Sequence, residues 1–101
     1  MIKVQYSKKD DVEKISVSGH AMFGEFGNDI VCAATSMLVF TIANQILKID
    51  SKFEVKVEEN GITFINKCNN SDINLLIDTM KTGFDMLVEE YGDYINVSSD
   101  S

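Results

Sequence analysis

The chain has 101 residues, 45% of them hydrophobic and 25% charged, which suits one soluble globular domain. Its net charge is −7, and its nine basic residues are all lysines, so a surface that reads phosphate backbones is not expected and direct nucleic-acid binding is set aside. The acidity serves solubility, and it would also draw a basic protein partner.

In chain order, Ile2, Val4 and Tyr6 alternate with Lys3 and Gln5, a short strand. The segment "SKKDD" turns, and Glu13–Gly19 alternates again with Ile15 and Val17 on one face, so the first two strands form a hairpin. A glycine-rich loop follows from His20 to Asn28. A helix capped by Asn28 or Asp29 then runs to about Lys48. Ile30 to Leu47 is 18 residues without a charge, the length of a transmembrane candidate. Thr35, Ser36, Thr41, Asn44 and Gln45 interrupt it, so a central, fully packed helix is expected and no membrane contact. Ile49-Asp50-Ser51 breaks the helix.

Phe53, Val55 and Val57 alternate with charged residues, a half-buried strand; Asn60-Gly61 signals a hairpin, and Ile62–Asn66 returns. Ser71 caps a second helix whose apolar residues Ile73, Leu76, Ile77, Met80 and Phe84 fall at three- and four-residue steps, with Gly92 closing it. Tyr94–Val97 is a last strand. The order is β-β-α-β-β-α-β, an α+β fold: a mostly antiparallel sheet packed on two helices. Residues 1–97 make a single domain, and 98–101 a flexible C-terminal tail. The first helix is apolar almost all round, so the sheet covers one side and the second helix, a second subunit, or both cover the other.

The two cysteines are Cys32 and Cys68, and "MIKVQYSKKDD" lacks the apolar core of a secretory leader. A reducing, cytoplasmic setting without disulfides is expected.

The chemistry gathers in "SGHAMFGEFGNDIVCAATS", Ser18 to Ser36, which holds the chain's only histidine and one of its two cysteines. Cys32 falls in the first turn of the first helix, where unpaired N–H groups and the dipole favour a negative charge. A thiol there ionises more readily, and the thiolate is the nucleophile. His20, at the end of the second strand, sits at a rigid place from which to assist and to protonate a leaving amine. Phe23, Gly24, Phe26 and Gly27 lie on the loop between, which suits a flap over a bound peptide. Each piece also has a plain structural reading: a histidine after a strand, a cysteine as a small core hydrophobe, glycines that only turn, Asp29 as a cap. Zinc would need more ligands than His20, Cys32, Asp29 and Cys68 supply in any recognised spacing, so neither a metal nor another cofactor is expected. Cys68, in "INKCNN", reads as structural.

The same stretch closely resembles the ribosomal-processing cysteine proteases, the Prp family. The likeness rests on Gly-His-Ala after the second strand, the glycine-rich loop, and Asp-Ile-Val-Cys-Ala-Ala-x-Ser opening a long helix. The length and element order extend it over nearly the whole chain. The resemblance implies a cysteine endopeptidase that removes a short N-terminal extension from a large-subunit ribosomal protein. It makes Cys32 the nucleophile and His20 the general base and acid, with Asp29, Ser36 and Gly19 supporting. It also implies a homodimer, and substrates with aromatic residues before the cut. Net charge would then attract the basic ribosomal tail in a salt-sensitive way. Two rival readings are a non-catalytic ribosome-associated dimer that binds a peptide in the same groove, and an adaptor dimer built on the apolar helix.

Overall fold

A computed structural model describes residues 1–19, 30–67 and 69–100, the side chain of Asp100 excepted. Strands β1 (Ile2–Lys9) and β2 (Val12–Ser18) form the first hairpin, longer than the alternation alone marks out. Lys9 faces Val12, so the loop is Asp10-Asp11, and both residues have positive φ (52° and 66°). Two-residue hairpin loops favour this backbone because its twist matches that of the strands, and aspartate tolerates it better than most side chains.

Helix α1 (Ile30–Ile49) follows, then β3 (Glu54–Glu58), β4 (Gly61–Asn66), α2 (Ser71–Tyr91) and β5 (Ile95–Asp100). The sheet order is β3-β4-β2-β1-β5. Only β1 and β5 pair in parallel; the other neighbours are antiparallel, as expected for this α+β order. Ile2, Val4, Ile15, Val17, Ile62, Phe64 and Ile95 point to one face of the sheet. Both helices bury their apolar stripes in the same cluster, so they lie on that face. The opposite face carries Ser16, Thr63 and lysines around a buried Ile65, and is otherwise the wetter side, the usual division of an antiparallel sheet.

Three local readings change, and one holds. Asn60-Gly61 does mark a hairpin, but Glu58 pairs with Gly61, so the loop is Glu59-Asn60 and Gly61 opens β4. Gly61 is needed for proximity: a Cβ there would stand 2.5 Å from the Val17 carbonyl oxygen. The cap of α2 is Asn70, not Ser71, its side chain accepting from the N–H groups of Asp72 and Ile73. Gly92 does cap the helix C-terminus, with a right-handed backbone (φ −60°). Finally, β5 continues past Val97, where a flexible tail was expected. Ser98, Ser99 and Asp100 pair with Gln5, Tyr6 and Ser7, because β1 is long enough to offer them a partner; Ser101 lies outside the described residues.

α1 is not fully packed. It buries Val31, Thr35, Val39, Ile42, Ala43 and Ile46. α2 covers one flank, close enough that a Cβ on Gly83 would touch the Leu38 side chain at 2.6 Å. Ile30, Met37, Phe40 and Leu47 remain exposed, Met37 at 69%.

Candidate active site

Cys32 lies in the first described turn of α1, half-buried, packed against the core beside Val31. Its surroundings form a cleft of about 350 Å³ with three walls. One wall is α1 itself, from Cys32 through Thr35 and Ser36 to Phe40. The second is the end of β2, Ser18 and Gly19. The third is the tip of the β3–β4 hairpin, Val57 to Gly61. At about 1.5 Å per helical residue, Phe40 stands roughly 12 Å along the helix from Cys32. A peptide lying along α1 could therefore touch the thiol at one end and an apolar patch of Phe40 and Val57 at the other, both of them exposed.

The β2 wall is held tightly. Gly19 donates its N–H to the Asn60 carbonyl at 3.0 Å, which ties the end of β2 to the hairpin tip. Its φ is +91°, a conformation other residues reach only with strain, and a Cβ would collide with the Met1 carbonyl oxygen. The sequence thus needs glycine at this point for two separate reasons. Gly19, the last described residue before position 20 of the sequence, thus stands pinned in the wall of the cleft that holds Cys32.

Of the residues singled out from the sequence, Cys32, Ser36 and Gly19 come together around this one cleft. Ser36 is exposed there, one turn beyond Cys32. His20, Phe23, Gly24, Phe26, Gly27, Asp29 and Cys68 lie outside the described residues. A larger hollow, about 770 Å³, opens at the far end of the sheet among Lys8, Lys9, Lys14, Lys56 and Lys67. It is lined by neither Cys32 nor Ser36.

Sequence reasoning missed two parts of the cleft. Thr35 is only 4% exposed, and among the described residues its hydroxyl has no hydrogen-bond partner. The clue was a polar residue inside an apolar helical run, three positions from the cysteine. Glu58 and Glu59 form the acidic rim; the clue was a pair of carboxylates at a hairpin tip, visible in the sequence but not assignable to any wall without the register.

A family model described as "Cysteine protease Prp" matches residues 1–96. The chain is 32% identical over 104 aligned positions to the ribosomal processing cysteine protease Prp of Staphylococcus aureus, covering 97% of this chain and 98% of that one. Among solved structures, the essential ribosomal processing protease Prp from S. aureus with a covalently linked product peptide superposes with a TM-score of 0.87 at 28% identity, covering 99% of this chain and 100% of the other. The same S. aureus protease with a substrate peptide gives a TM-score of 0.79 over the same coverage, at 28% identity.

Proposed function

The chain belongs to the Prp family of cysteine proteases, and on that footing we propose that it removes a short N-terminal extension from a large-subunit ribosomal protein. The observation that supports this most is the shared cleft. Cys32, at the start of a helix, faces the pinned end of the strand that leads into His20. The chain also aligns end to end with an S. aureus protease whose structures carry substrate and product peptides.

The proposed reaction is acyl transfer. The Cys32 thiolate, favoured by the amides of the first helical turn, attacks the scissile carbonyl carbon. The carbonyl oxygen becomes an oxyanion, which N–H groups at the start of α1 are suited to hold. The intermediate collapses, the C–N bond breaks, and His20 protonates the departing amine. Water, deprotonated by His20, then attacks the thioester and releases the Cys32 thiolate and the removed extension, now ending in a carboxylate. Ser36 and Gly19 support the site, Gly19 by fixing where residue 20 begins, and Asp29 caps α1 or orients His20.

The exposed stripe of α1, with Met37 and Leu47, is the proposed homodimer face. The protein acts in the cytoplasm, without a membrane and without direct contact to nucleic acid. For Met37→Glu, sedimentation should shift to the monomer, because a charge placed in an apolar interface is left unpaired. An unchanged dimer would assign the interface elsewhere.

The deciding experiment is incubation of the protein, and of Cys32→Ala, with a peptide spanning the ribosomal protein's N-terminus, with product masses read out. The wild type should give two fragments and the variant none. Equal fragments from both would remove Cys32 from the reaction.

A further inference from the structure

The hairpin that walls the cleft treats its acidic residues in two ways. At its base Glu54 is paired with Lys67 at 2.7 Å, which holds the Glu54 carboxyl below its ordinary range. At its tip Glu58 and Glu59 stand side by side, both exposed, both lining the cleft. Among the described residues the ion pairs are Lys67–Glu54 and Lys81–Glu13, and neither reaches this tip. The residue opposite Glu58 is Gly61, which has no side chain to offer across the strands. Two adjacent carboxylates without a cation repel one another, and a positive group entering the cleft relieves that repulsion.

A second observation comes from the opposite wall. The Thr35 hydroxyl is buried and has no partner among the described residues, yet Thr35 lines the same cleft. Leaving a buried hydroxyl unpaired costs stability, and a ligand that supplies a partner recovers it. An extended peptide brings N–H and C=O groups at each residue, enough to serve a hydroxyl on the cleft wall while a side chain reaches the rim.

We propose that Thr35 together with Glu58 and Glu59 forms a specificity subsite for a basic residue of the peptide substrate, the hydroxyl meeting the peptide main chain and the two carboxylates meeting a lysine or arginine side chain. This rests on the protease reading, since it assumes that a peptide occupies the cleft beside Cys32. It adds a selection that neither the thiol nor the apolar patch at Phe40 and Val57 can make. The carboxylates are water-exposed, so their effect is modest in size, falls with salt, and appears in KM rather than in kcat.

The test is a series of peptides in which a single lysine is moved from five residues before the cut to five after it, with glutamine as the neutral reference. For the wild type, lysine at one position, or at two neighbouring ones, should raise kcat/KM about tenfold, through KM, at low salt. In the Glu58→Gln/Glu59→Gln double variant that gain, taken as the ratio of the lysine peptide to the glutamine peptide for the same enzyme, should drop to about twofold. Thr35→Val should weaken every peptide about fivefold, with no loss of melting temperature and an unchanged preference for lysine. A lysine gain of equal size in the wild type and the double variant would overturn the assignment to the carboxylates. A Thr35→Val enzyme with unaltered KM would overturn the role of the hydroxyl.

Calorimetric binding of the lysine and glutamine peptides to Cys32→Ala reads the subsite without any cleavage. Lysine-selective binding, lost in the added double variant, supports the subsite even if the wild type cuts nothing, a result that would refute the protease reading alone. Cleavage without lysine selectivity would refute the subsite alone.

Discussion

Replacing Gly19 by alanine should damage both stability and catalysis, and the size of the first effect follows from three contributions. A residue with a Cβ held at φ +91° is strained by about 1–3 kcal/mol. The new Cβ also overlaps the Met1 carbonyl oxygen, and this neighbour is backbone, so the overlap is relieved only by moving the chain. The movement strains the bonds on either side, Gly19 N–H to the Asn60 carbonyl at 3.0 Å or Ile2 N–H to the Tyr94 carbonyl at 2.9 Å, each worth about 1 kcal/mol. The sum is about 2–4 kcal/mol. In a domain of this size each kcal/mol moves the melting temperature by roughly 4–8 °C, so a fall of about 8–32 °C is expected. Urea unfolding of the wild type and of Gly19→Ala gives the free-energy difference directly. Gly61→Ala is the companion: it meets the Val17 carbonyl oxygen at 2.5 Å but does not carry the strain of a positive φ, so it should lose about 1–3 kcal/mol. At a temperature where both variants are folded, Gly19→Ala should still cleave far more slowly, because position 19 directly precedes His20, the proposed general base, in the sequence. A Gly19→Ala protein within about 0.5 kcal/mol of wild type and fully active would refute the reasoning.

Tyr6 is half-buried, with no partner for its hydroxyl among the described residues, Lys81 Nζ 5.0 Å from its ring centroid, and Asp85 and Glu13 nearby. Burial first, then these two carboxylates, pushes its pKa up to about 12. Between pH about 10 and 12 the unfolded chain has lost this proton and the folded one keeps it. The unfolded state therefore binds fewer protons, and stability falls as pH rises through that window. Tyr6→Phe should remove the late step in the phenolate absorbance titration and flatten that fall; a step that survives the substitution would assign it to another tyrosine. Asn70→Ala should cost about 1 kcal/mol in urea unfolding, against a few tenths for Ser71→Ala, because Asn70 supplies the capping oxygen. The reverse order would restore the cap to Ser71.

The regular elements were legible because their signals are local. Alternation in β1, β2 and β4, and the three- and four-residue steps of α2, each follow from one buried face. The place of Cys32 in the first turn of α1 was legible for a similar reason, since one helix start suffices to give it. What escaped depends on pairs of distant segments. The loop Glu59-Asn60 could not be told from Asn60-Gly61 without the register, and the proximity of Gly61 to Val17 involves β2, more than forty positions earlier. The extension of β5 to Asp100 is set by β1, whose polar end gives no hint that it has a parallel neighbour. Thr35 looked like an interruption of an apolar run; only the packing of α1 on the sheet buries it, and only the cleft gives its hydroxyl a purpose.

The walls of the cleft are fixed by different parts of the fold, and this bears on how the site tolerates change. Cys32 is placed by α1, anchored at Val31, Val39, Ile42 and Ile46. The facing wall is placed by β2 and the hairpin tip, through the Gly19–Asn60 bond and the close approach of Gly61 to Val17. These constraints share no side chain, so they should act independently. A cavity cut under the helix, as in Ile46→Ala, removes about 2–5 kcal/mol of packing some four turns from the thiol. It should lower stability while leaving KM for the lysine peptide series unchanged, because the β2 wall and the carboxylates do not move with it. Gly61→Ala should do the opposite, shifting KM at a smaller loss of stability. If both substitutions changed KM in proportion to the stability they removed, the cleft would be one cooperative unit, and the two-wall account would fail.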